Sequence, residues 1–347
     1  MTRYFPAEWH NQYAIQLTWP HENTDWEWVL PEIQSFYIQL INIILEHEHV
    51  ILSVPNEDTI TQVKNLLSNH PFQCHFYIAP NNDTWARDHG PISIYKDNQL
   101  AIADFIFNGW GNKFNASLDN QLTRRLFEQK AYPSQHIESL NFILEGGSIE
   151  SDGNGCLLTT RQCLMNTNRN ASLNQSQIES YLSQHLGSEK FLWLKHGDLE
   201  GDDTDAHVDT LARFAPNNQI IFQGCQDPED SHFDELQAMK EELKGFSNTQ
   251  NEPFTLVELP WPDAQFEPTD NQRLPATYAN FLFINGAVLL PVYGVKQDEE
   301  AIRIMTQALP EHKIIPVNCS IVIRQYGSLH CLTMQIPSPQ LQSGVSK

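Results

Sequence analysis

Apolar residues along this chain follow two spacings, one typical of helices and one typical of buried strands. The segment "IQSFYIQLINIILEHEH" has apolar residues at helical spacing, and it leads into "VILSVP", a run that predicts a buried strand. The cycle then repeats, since "TITQVKNLLSNH" predicts a helix and "CHFYIAP" predicts a strand after it. The pattern indicates an α/β protein.

The same order of elements returns with a period of roughly 60 residues, although literal identity between the repeats is weak. Strand pairs such as "GPISIY" with "LAIADFIF" interrupt the alternation of helix and strand. This β-β-α-β order favours a propeller of repeated modules, with an ordinary doubly wound sheet as the competing fold. No glycine-rich phosphate-binding motif supports the doubly wound alternative. We expect one domain over residues 1–347, with a loose tail over about residues 338–347.

The composition predicts a globular protein with a large core, because 40% of the 347 residues are hydrophobic and 18% are charged. The net charge of −22 argues against nucleic acid or an anionic membrane as the main partner. It favours a small cationic substrate, with simple solubility as the alternative explanation of the excess acid.

The cysteines are scattered, without paired spacings, which predicts reduced thiols in a cytoplasmic protein. The N-terminal sequence has no basic start followed by an apolar run, and no uncharged apolar run reaches the length of about 18 residues that a membrane span needs. We therefore expect a cytoplasmic protein.

His207 and Asp209 stand two residues apart in "GDDTDAHVDTLARF". On an extended strand both side chains would point to the same face and share one pocket. A metal site is the alternative, but no further His or Cys stands nearby at ligand spacing, so we expect no metal.

Cys331 directly follows His330 in "YGSLHCLTMQIP". A cysteine with a distant histidine and acids is the general pattern of covalent catalysis, whereas a lone buried cysteine is usually inert. Glu145 ends an apolar strand in "FILEGGSIESDG" and is a candidate to orient His207, with capping of a hairpin as the alternative.

Five segments together resemble the successive motifs of the agmatine deiminase family, which includes bacterial peptidylarginine deiminases. They occur in the family's order, and the resemblance extends from about Tyr4 to Pro337. The segments are "DTWARDHGP", "FNGWGNKF", "LEGGSIESDG", "GDDTDAHVDTLARF" and "GSLHCLTMQIP".

The resemblance implies a five-bladed α/β-propeller, no cofactor, and a homodimer as a frequent assembly of the family. It also implies a role for each matching residue. These are Cys331 as nucleophile, His207 as general acid and base, Asp88 and Asp209 as guanidinium ligands, Glu145 as the acid that orients the histidine, and Trp85 as a wall of the substrate channel. Asp83, Trp110 and Asp205 are further candidates to bind a substrate with a second positive charge.

The implied reaction is hydrolysis of agmatine to N-carbamoylputrescine and ammonia through a covalent Cys331 thiouronium, a step of putrescine and polyamine biosynthesis. Another guanidino compound, such as arginine or peptidyl arginine, is the alternative substrate, and an inactive guanidinium-binding protein is the alternative of another class. The sequence departs from the family pattern at Ala206 and Tyr326, where Gly is more usual, and at Ser328, where Asn is more usual. These departures bear on the choice of substrate more than on the chemistry.

Overall fold

The computed structural model describes residues 2–340 of the chain. Helices and short strands alternate throughout these residues, so the structure is a mixed α/β fold. In this described part, no helix combines the length and the apolar character that crossing a membrane requires. Of the predicted C-terminal tail, residues 341–347 lie outside the described residues.

The elements are numbered in chain order. The strands are β1 (Arg3–Tyr4), β2 (Gln12–Thr18), β3 (His49–Val54), β4 (Cys74–Ile78), β5 (Ile92–Lys96), β6 (Gln99–Ile106), β7 (Ile137–Ile143), β8 (Ile149–Ser151), β9 (Cys156–Thr160), β10 (Lys190–Leu194), β11 (Ala212–Ala215), β12 (Gln219–Gln223), β13 (Thr255–Leu259), β14 (Gln265–Phe266), β15 (Arg273–Leu274), β16 (Leu282–Ile284), β17 (Ala287–Val292), β18 (Lys313–Asn318) and β19 (Met334–Pro337). The α-helices are α1 (Leu30–Ile44), α2 (Glu57–Leu66), α3 (Ala86–His89), α4 (Gly109–Asn112), α5 (Leu122–Glu128), α6 (Arg161–Leu164), α7 (Gln175–Leu186), α8 (Phe233–Lys244) and α9 (Gln297–Ala308).

One arrangement of three strands recurs along the chain. An antiparallel pair is followed by a helix and a third strand that runs parallel to the second, as in β5-β6-β7, β8-β9-β10, β11-β12-β13 and β16-β17-β18. The sheet β19-β2-β3-β4 begins with the same antiparallel and parallel steps and adds a further parallel strand. The repeated β-β-α-β order predicted from the apolar spacing is therefore present in the structure.

The chain divides into two compact units. Of the described residues, the first unit contains residues 2–3, 10–146 and 331–340, and the second contains residues 4–9 and 147–330. The sheets β5-β6-β7 and β19-β2-β3-β4 belong to the first unit. The three-stranded sheets that start at β8, β11 and β16 belong to the second unit, together with the pair β14-β15.

Helix α1 shows how these sheets are covered in the first unit. Its apolar residues recur every three or four positions, which places them on one side of the helix. Full burial of a large apolar side chain stabilises the fold by about 1.5–3 kcal/mol, so this face holds the helix in place. The buried apolar residues of α1 are Ile33, Phe36, Tyr37, Leu40, Ile41 and Ile44.

Strands β2 and β19 were not predicted from the apolar pattern. Their pairing brings Met334 opposite Gln16, two residues that lie far apart in the sequence. Strand β2 is buried over nearly all of its length because β19 and β3 flank it. Since β19 begins three residues after Cys331, this pairing fixes the segment that carries the predicted nucleophile.

Candidate active site

Asp88 lies in the short helix α3, and its side chain is almost completely buried. Trp110 Nε1 donates a hydrogen bond to Asp88 Oδ2 over 2.9 Å. An indole N–H is a neutral donor, so it orients the carboxylate without cancelling its charge. Asp88 is thereby held in one orientation, as a ligand for a cation requires.

Trp110 is fixed by the local backbone and by aromatic packing. It adopts a left-handed conformation, with φ of 52°, after Gly109 with φ of 67°. A Cβ on Gly109 would lie 2.3 Å from the carbonyl oxygen of Phe114, so only glycine fits there. The indole ring packs edge to face against Phe107 and Phe114, with centroid separations of 5.0 and 5.5 Å. The motif "FNGWGNKF" therefore holds Trp110 in position against Asp88.

Glu145 is fully buried and follows β7, as the sequence predicted. The next residue, Gly146, packs so closely that a Cβ there would lie 2.2 Å from the carbonyl oxygen of Arg87 and 2.7 Å from Cε of Met334. Arg87 in turn donates from Nη1 to Gln335 Oε1 over 2.6 Å. The end of β7 is therefore packed directly against α3 and β19.

Cys331 is 5% exposed and lies in the 3-10 turn His330–Leu332, immediately before β19. Because β19 packs against both α3 and the end of β7, the segments that carry Cys331, Asp88 and Glu145 form one packed region of the first unit.

Asp83 and Trp85 interact with each other at the start of the motif "DTWARDHGP", which also contains Asp88. Trp85 Nε1 donates to Asp83 Oδ2 over 3.1 Å, and the backbone N–H of Thr84 donates to Asp83 Oδ1 over 2.8 Å. Burial, together with the charges of Asp25 and Asp119, raises the pKa of Asp83 to about 8. The hydrogen bonds from Thr84 and Trp85 act in the opposite direction but are weaker than the burial.

Asp119 was not among the predicted site residues, although it binds the backbone of the motif. It accepts the N–H of Asn82 over 2.7 Å and the N–H of Asp83 over 3.1 Å. Burial raises the pKa of Asp119 to about 7. We call Asp25, Asp83 and Asp119 the acidic loop cluster. Within residues 2–340, neither Asp83 nor Asp119 forms an ion pair with Lys or Arg.

In the second unit, His207 and Asp209 do not lie on an extended strand, so the alternation of a strand does not set the direction of their side chains. Val208–Thr210 is a 3-10 turn, and β11 begins only afterwards. The Thr210 hydroxyl donates to the His207 carbonyl over 2.8 Å, and Thr204 Oγ1 accepts the His207 N–H over 3.1 Å. These hydroxyls satisfy backbone groups that a strand would pair with a neighbour, which explains the turn. Both His207 and Asp209 are fully buried.

Asp205 binds a buried arginine of its own unit. Arg169 Nη1 lies 2.6 Å from Asp205 Oδ2, and the Arg169 side chain has no exposed surface. Arg169 Nη2 also donates to the carbonyl of Thr204 over 2.9 Å, and Asn168 Nδ2 donates to Asp205 Oδ2 over 3.2 Å. Arg169 therefore neutralises Asp205 locally, and the binding of substrate by Asp205 stays a prediction.

Two departures from the family pattern fall on left-handed backbone. Ala206 has φ of 63° and Tyr326 has φ of 64°, a region that costs a residue with a Cβ about 1–2 kcal/mol. At Ala206 the conformation is held by Asp202 Oδ2, which accepts its N–H over 2.6 Å, and by Thr160, whose hydroxyl donates to its carbonyl over 2.7 Å. The backbone thus keeps a conformation that favours glycine although glycine is absent.

Asp209 is ionised although it is buried. His330 Nδ1 lies 2.7 Å from Asp209 Oδ2. Burial by itself raises the pKa of Asp209, but the hydrogen bond from His330 and the charges of His330, His207 and Arg213 outweigh it, so the pKa is lower than that of an ordinary aspartate. A carboxylate that stays ionised is what binding of a guanidinium needs.

A line of ionisable side chains, acidic and basic in alternation, continues from Asp209 through the core of the second unit. His330 Nε2 lies 2.6 Å from Glu8 Oε2, and Arg213 Nη2 donates to the same Glu8 oxygen over 2.9 Å. Arg213 Nε pairs with Glu150. We call these five residues, Asp209, His330, Glu8, Arg213 and Glu150, the buried charge chain.

Arg213 is the centre of this chain. Its side chain is fully buried, its Nη1 donates to the carbonyl of Phe281 over 2.6 Å, and its guanidinium lies 4.9 Å from the centroid of the Phe281 ring. Burial lowers its pKa, but the charges of Glu150, Glu8 and Asp209 outweigh that effect and raise the pKa above its usual value. Arg213 is therefore a permanent cation among buried carboxylates.

Glu8, Glu150 and His330 place ligand atoms within 4.8 Å of one another, close enough to hold a metal ion. The same atoms already bind the guanidinium of Arg213 or the neighbouring imidazole and carboxylate groups. The cation that this cluster accommodates is an arginine side chain, and a metal would have to displace it.

Sequence reasoning did not assign four members of the buried charge chain. Glu150 and Arg213 lie inside two of the quoted motifs, and His330 precedes Cys331, so their positions were signals that remained unused. Glu8 carried no such signal, because its contact with His330 joins residues 322 positions apart. Asp119 was missed for the same reason, since only the fold brings it to the backbone of the "DTWARDHGP" motif.

Comparison with known proteins gives full-length matches. The chain is 30% identical to the agmatine deiminase of Pseudomonas syringae pv. tomato over 358 residues, covering 97% of this chain and 96% of that protein. Among solved structures, a Cys-to-Ser variant of the C. jejuni agmatine deiminase with substrate bound has a TM-score of 0.91 and 40% identity, covering 98% of each chain. Another structure of the C. jejuni agmatine deiminase has a TM-score of 0.88 and 39% identity, also over 98% of each chain.

The family model described as Porphyromonas-type peptidyl-arginine deiminase matches residues 4–337, nearly the same range over which the five motifs resemble the family. The resemblance predicted from those motifs is confirmed by these matches. The chain belongs to the Porphyromonas-type peptidyl-arginine deiminase family, which includes agmatine deiminases.

Proposed function

We propose that this protein is an agmatine deiminase, a hydrolase that converts the guanidinium group of agmatine and water into N-carbamoylputrescine and ammonia. The observation that carries the proposal is the match to a substrate-bound agmatine deiminase at 40% identity over 98% of both chains. The five motifs in family order and the buried, ionised Asp209 support the same reaction.

The proposed binding step uses Asp88 and Asp209. A guanidinium is planar and carries N–H groups on every edge, so two carboxylates can accept its hydrogen bonds in the plane and leave the central carbon open to attack from above. The orientation of Asp88 by Trp110 and the low pKa of Asp209 support these roles. Trp85 and Trp110 line the substrate channel in this proposal.

The proposed reaction has two half-reactions. The Cys331 thiolate forms a bond to the guanidinium carbon and gives a tetrahedral adduct. His207 then donates a proton to the departing nitrogen, and the C–N bond breaks. Ammonia departs, and an S-alkylthiouronium remains on Cys331. Next, His207 takes a proton from water, the water oxygen attacks the same carbon, and the C–S bond breaks to release the ureido product. Glu145 orients His207, and no cofactor is consumed.

The far end of agmatine is a primary amine, which is a cation at neutral pH. Asp83 and Asp205 are the proposed acids for this end. Asp83 supports this role because it has no Lys or Arg ion pair among residues 2–340, whereas Asp205 is already bound to Arg169. Peptidyl arginine is a second candidate substrate, because the matching family model is described by that activity.

The proposal also covers the fold, the binding partners, the cellular location and the assembly of the protein. Five copies of the antiparallel–parallel strand arrangement support a single five-bladed α/β-propeller. The net charge of −22 supports a protein without a nucleic-acid partner, and the scattered cysteines support a cytoplasmic location. A homodimer is the assembly we propose by analogy with the family.

The test is release of ammonia from agmatine, free arginine and an arginyl peptide by the wild-type protein and by Cys331→Ala. We expect release from agmatine, abolished by the substitution. Release of ammonia from the peptide but not from agmatine would make peptidyl arginine the substrate of the same deimination reaction. No release from any of the three by a folded wild-type protein would leave the inactive guanidinium-binding protein as the better explanation.

A further inference from the structure

His330 contacts a carboxylate with each of its ring nitrogens. Nδ1 lies 2.7 Å from Asp209 Oδ2 and Nε2 lies 2.6 Å from Glu8 Oε2, and the side chain is 1% exposed. An ionised carboxylate only accepts hydrogen bonds, and a neutral imidazole has one N–H. Two carboxylate partners therefore require the imidazolium form, unless one carboxylate carries the proton instead.

The surroundings of Glu8 argue against a proton on that carboxyl group. Glu8 Oε1 accepts the backbone N–H of Phe283 over 2.8 Å, and Glu8 Oε2 is shared by His330 and Arg213. Both oxygens are thus engaged by donors, and one of those donors is a permanent cation that also pairs with Glu150. The proton between Glu8 and His330 belongs on the imidazole.

The backbone around Asp209 and His330 is fixed by one residue. Asn280 Oδ1 accepts the N–H of His330 over 2.9 Å, and Asn280 Nδ2 donates to the carbonyl of Asp209 over 3.2 Å. With the two main-chain segments tied together, the bond between the side chains sets the orientation of the Asp209 carboxylate. His330 is therefore placed to act through Asp209, and its own side chain is almost completely buried.

The buried charge chain has an odd number of charges. With His330 as imidazolium, its five members comprise three carboxylates and two cations, and Asp202 and His207 also interact electrostatically with Asp209. Asp209 stands at one end of the chain, where an arriving guanidinium adds one positive charge. Without the His330 charge, Arg213 would be the one cation of these five residues against three carboxylates.

We propose that His330, held as an imidazolium between Glu8 and Asp209, is a positioning residue that orients the Asp209 carboxylate and keeps it ionised for guanidinium binding. This inference rests on the proposed deiminase function for its kinetic consequence, but the protonation state of His330 does not depend on that function.

Two variants separate the two hydrogen bonds of the imidazole. The amide nitrogen of Asn occupies roughly the position of Nδ1, and that of Gln roughly the position of Nε2. His330→Asn therefore retains a donor to Asp209, whereas His330→Gln retains a donor to Glu8. We expect kcat/KM for agmatine to fall about tenfold in the Asn variant and about a hundredfold in the Gln variant, because only the first still orients Asp209.

We expect the two His330 variants to keep this order when agmatine binds without being hydrolysed. In a Cys331→Ser background, calorimetry should give weaker agmatine binding with Gln than with Asn at position 330. His196→Asn is the matched control, since His196 also pairs with a carboxylate, Glu235 at 3.2 Å, but is exposed. It should leave both kcat/KM and binding unchanged. The inference would be overturned if His330→Gln had kcat/KM and agmatine affinity equal to or better than those of His330→Asn, with both variants at the wild-type thermal midpoint.

A direct measurement keeps the inference testable if either variant fails to fold. In wild-type protein labelled with 15N-histidine, the His330 ring signals are those that disappear in a His330 variant. If neither variant folds, they are the signals of the imidazole whose two nitrogens are both hydrogen-bonded. We expect these signals to show protons on both ring nitrogens at pH 7. One unprotonated nitrogen would refute the imidazolium. If the wild type releases no ammonia from any guanidine while both nitrogens carry protons, the proposed function fails and the assignment of His330 as a cation stands.

Discussion

The acidic loop cluster and the buried charge chain both bury carboxylates, yet their pKa values move in opposite directions. In the loop cluster, burial raises the pKa of Asp83 to about 8 and that of Asp119 to about 7. In the charge chain, the pKa of Asp209 is lower than usual although the residue is fully buried. The two regions differ in the groups that surround their acids.

The cause is the presence or absence of cations. Asp209 has the imidazole of His330 in contact and Arg213 nearby, so attraction outweighs the cost of burial. Among residues 2–340, Asp119 receives only backbone N–H groups, and Asp83 receives N–H groups and the repulsion of other acids. Burial alone therefore does not decide whether an acid is charged. In the proposed enzyme, one region holds an ionised ligand ready, and the other holds acids that a cationic amine would stabilise.

The largest expected effect follows from removing the cation at the centre of the charge chain. Arg213→Met leaves Glu8 and Glu150 buried without their partner, and loss of one member of a buried ion pair costs about 3–5 kcal/mol of unfolding free energy. The urea midpoint of unfolding should fall accordingly. Arg303→Met is the control, because Arg303 and Glu300 form an exposed pair, 53% and 48% accessible, and its midpoint should be unchanged. Equal midpoints for the two variants would contradict the comparison.

An intermediate effect is expected at the acids proposed for the substrate amine. Asp83→Asn should raise KM for agmatine about tenfold, because it removes an acid that no Lys or Arg neutralises within the described chain. Asp205→Asn should raise KM by less than about threefold, because Arg169 already neutralises that carboxylate. Steady-state kinetics with agmatine measures both. A larger rise of KM for Asp205→Asn would reverse the assignment of the two acids.

The smallest effect concerns the pH dependence of stability. Because the pKa of folded Asp119 is about 7, well above that of an unfolded aspartate, the native state binds more protons than the unfolded state between about pH 4 and pH 7. This contribution is fully present below about pH 4 and is lost as pH rises through 7. Asp119→Asn keeps an acceptor for the backbone N–H groups but cannot titrate. The loss of unfolding free energy between pH 6 and pH 8 should shrink by about 1 kcal/mol.

Urea titrations of Asp119→Asn and the wild type at the two pH values measure this change. Asp97→Asn serves as the control, because Asp97 is an exposed carboxylate that also accepts a backbone N–H, that of Thr2. An Asp119→Asn protein with the wild-type pH dependence would show that the acid is charged in the folded state after all.

The sequence predicted the parts of the fold that depend on neighbours along the chain. The spacing of "DEEAIRIMTQALP" placed α9 within a few residues of its observed bounds, and the run "GCLLTT" became β9. Local spacing was enough there because one face of the helix and the whole of the strand are buried. Local spacing did not decide the geometry at His207 and Asp209, where hydroxyls of Thr204 and Thr210 bind the backbone of a 3-10 turn.

The sequence by itself also determined the family and its chemistry, because the five motifs carry Asp88, Glu145, His207, Asp209 and Cys331 in order. Tertiary structure decided how the acids are charged. The contact of Glu8 with His330 spans 322 positions, and that of His330 with Asp209 spans 121. Local pattern has no access to such distances, since a pKa depends on the groups that the fold brings within a few ångströms, whatever their separation along the chain.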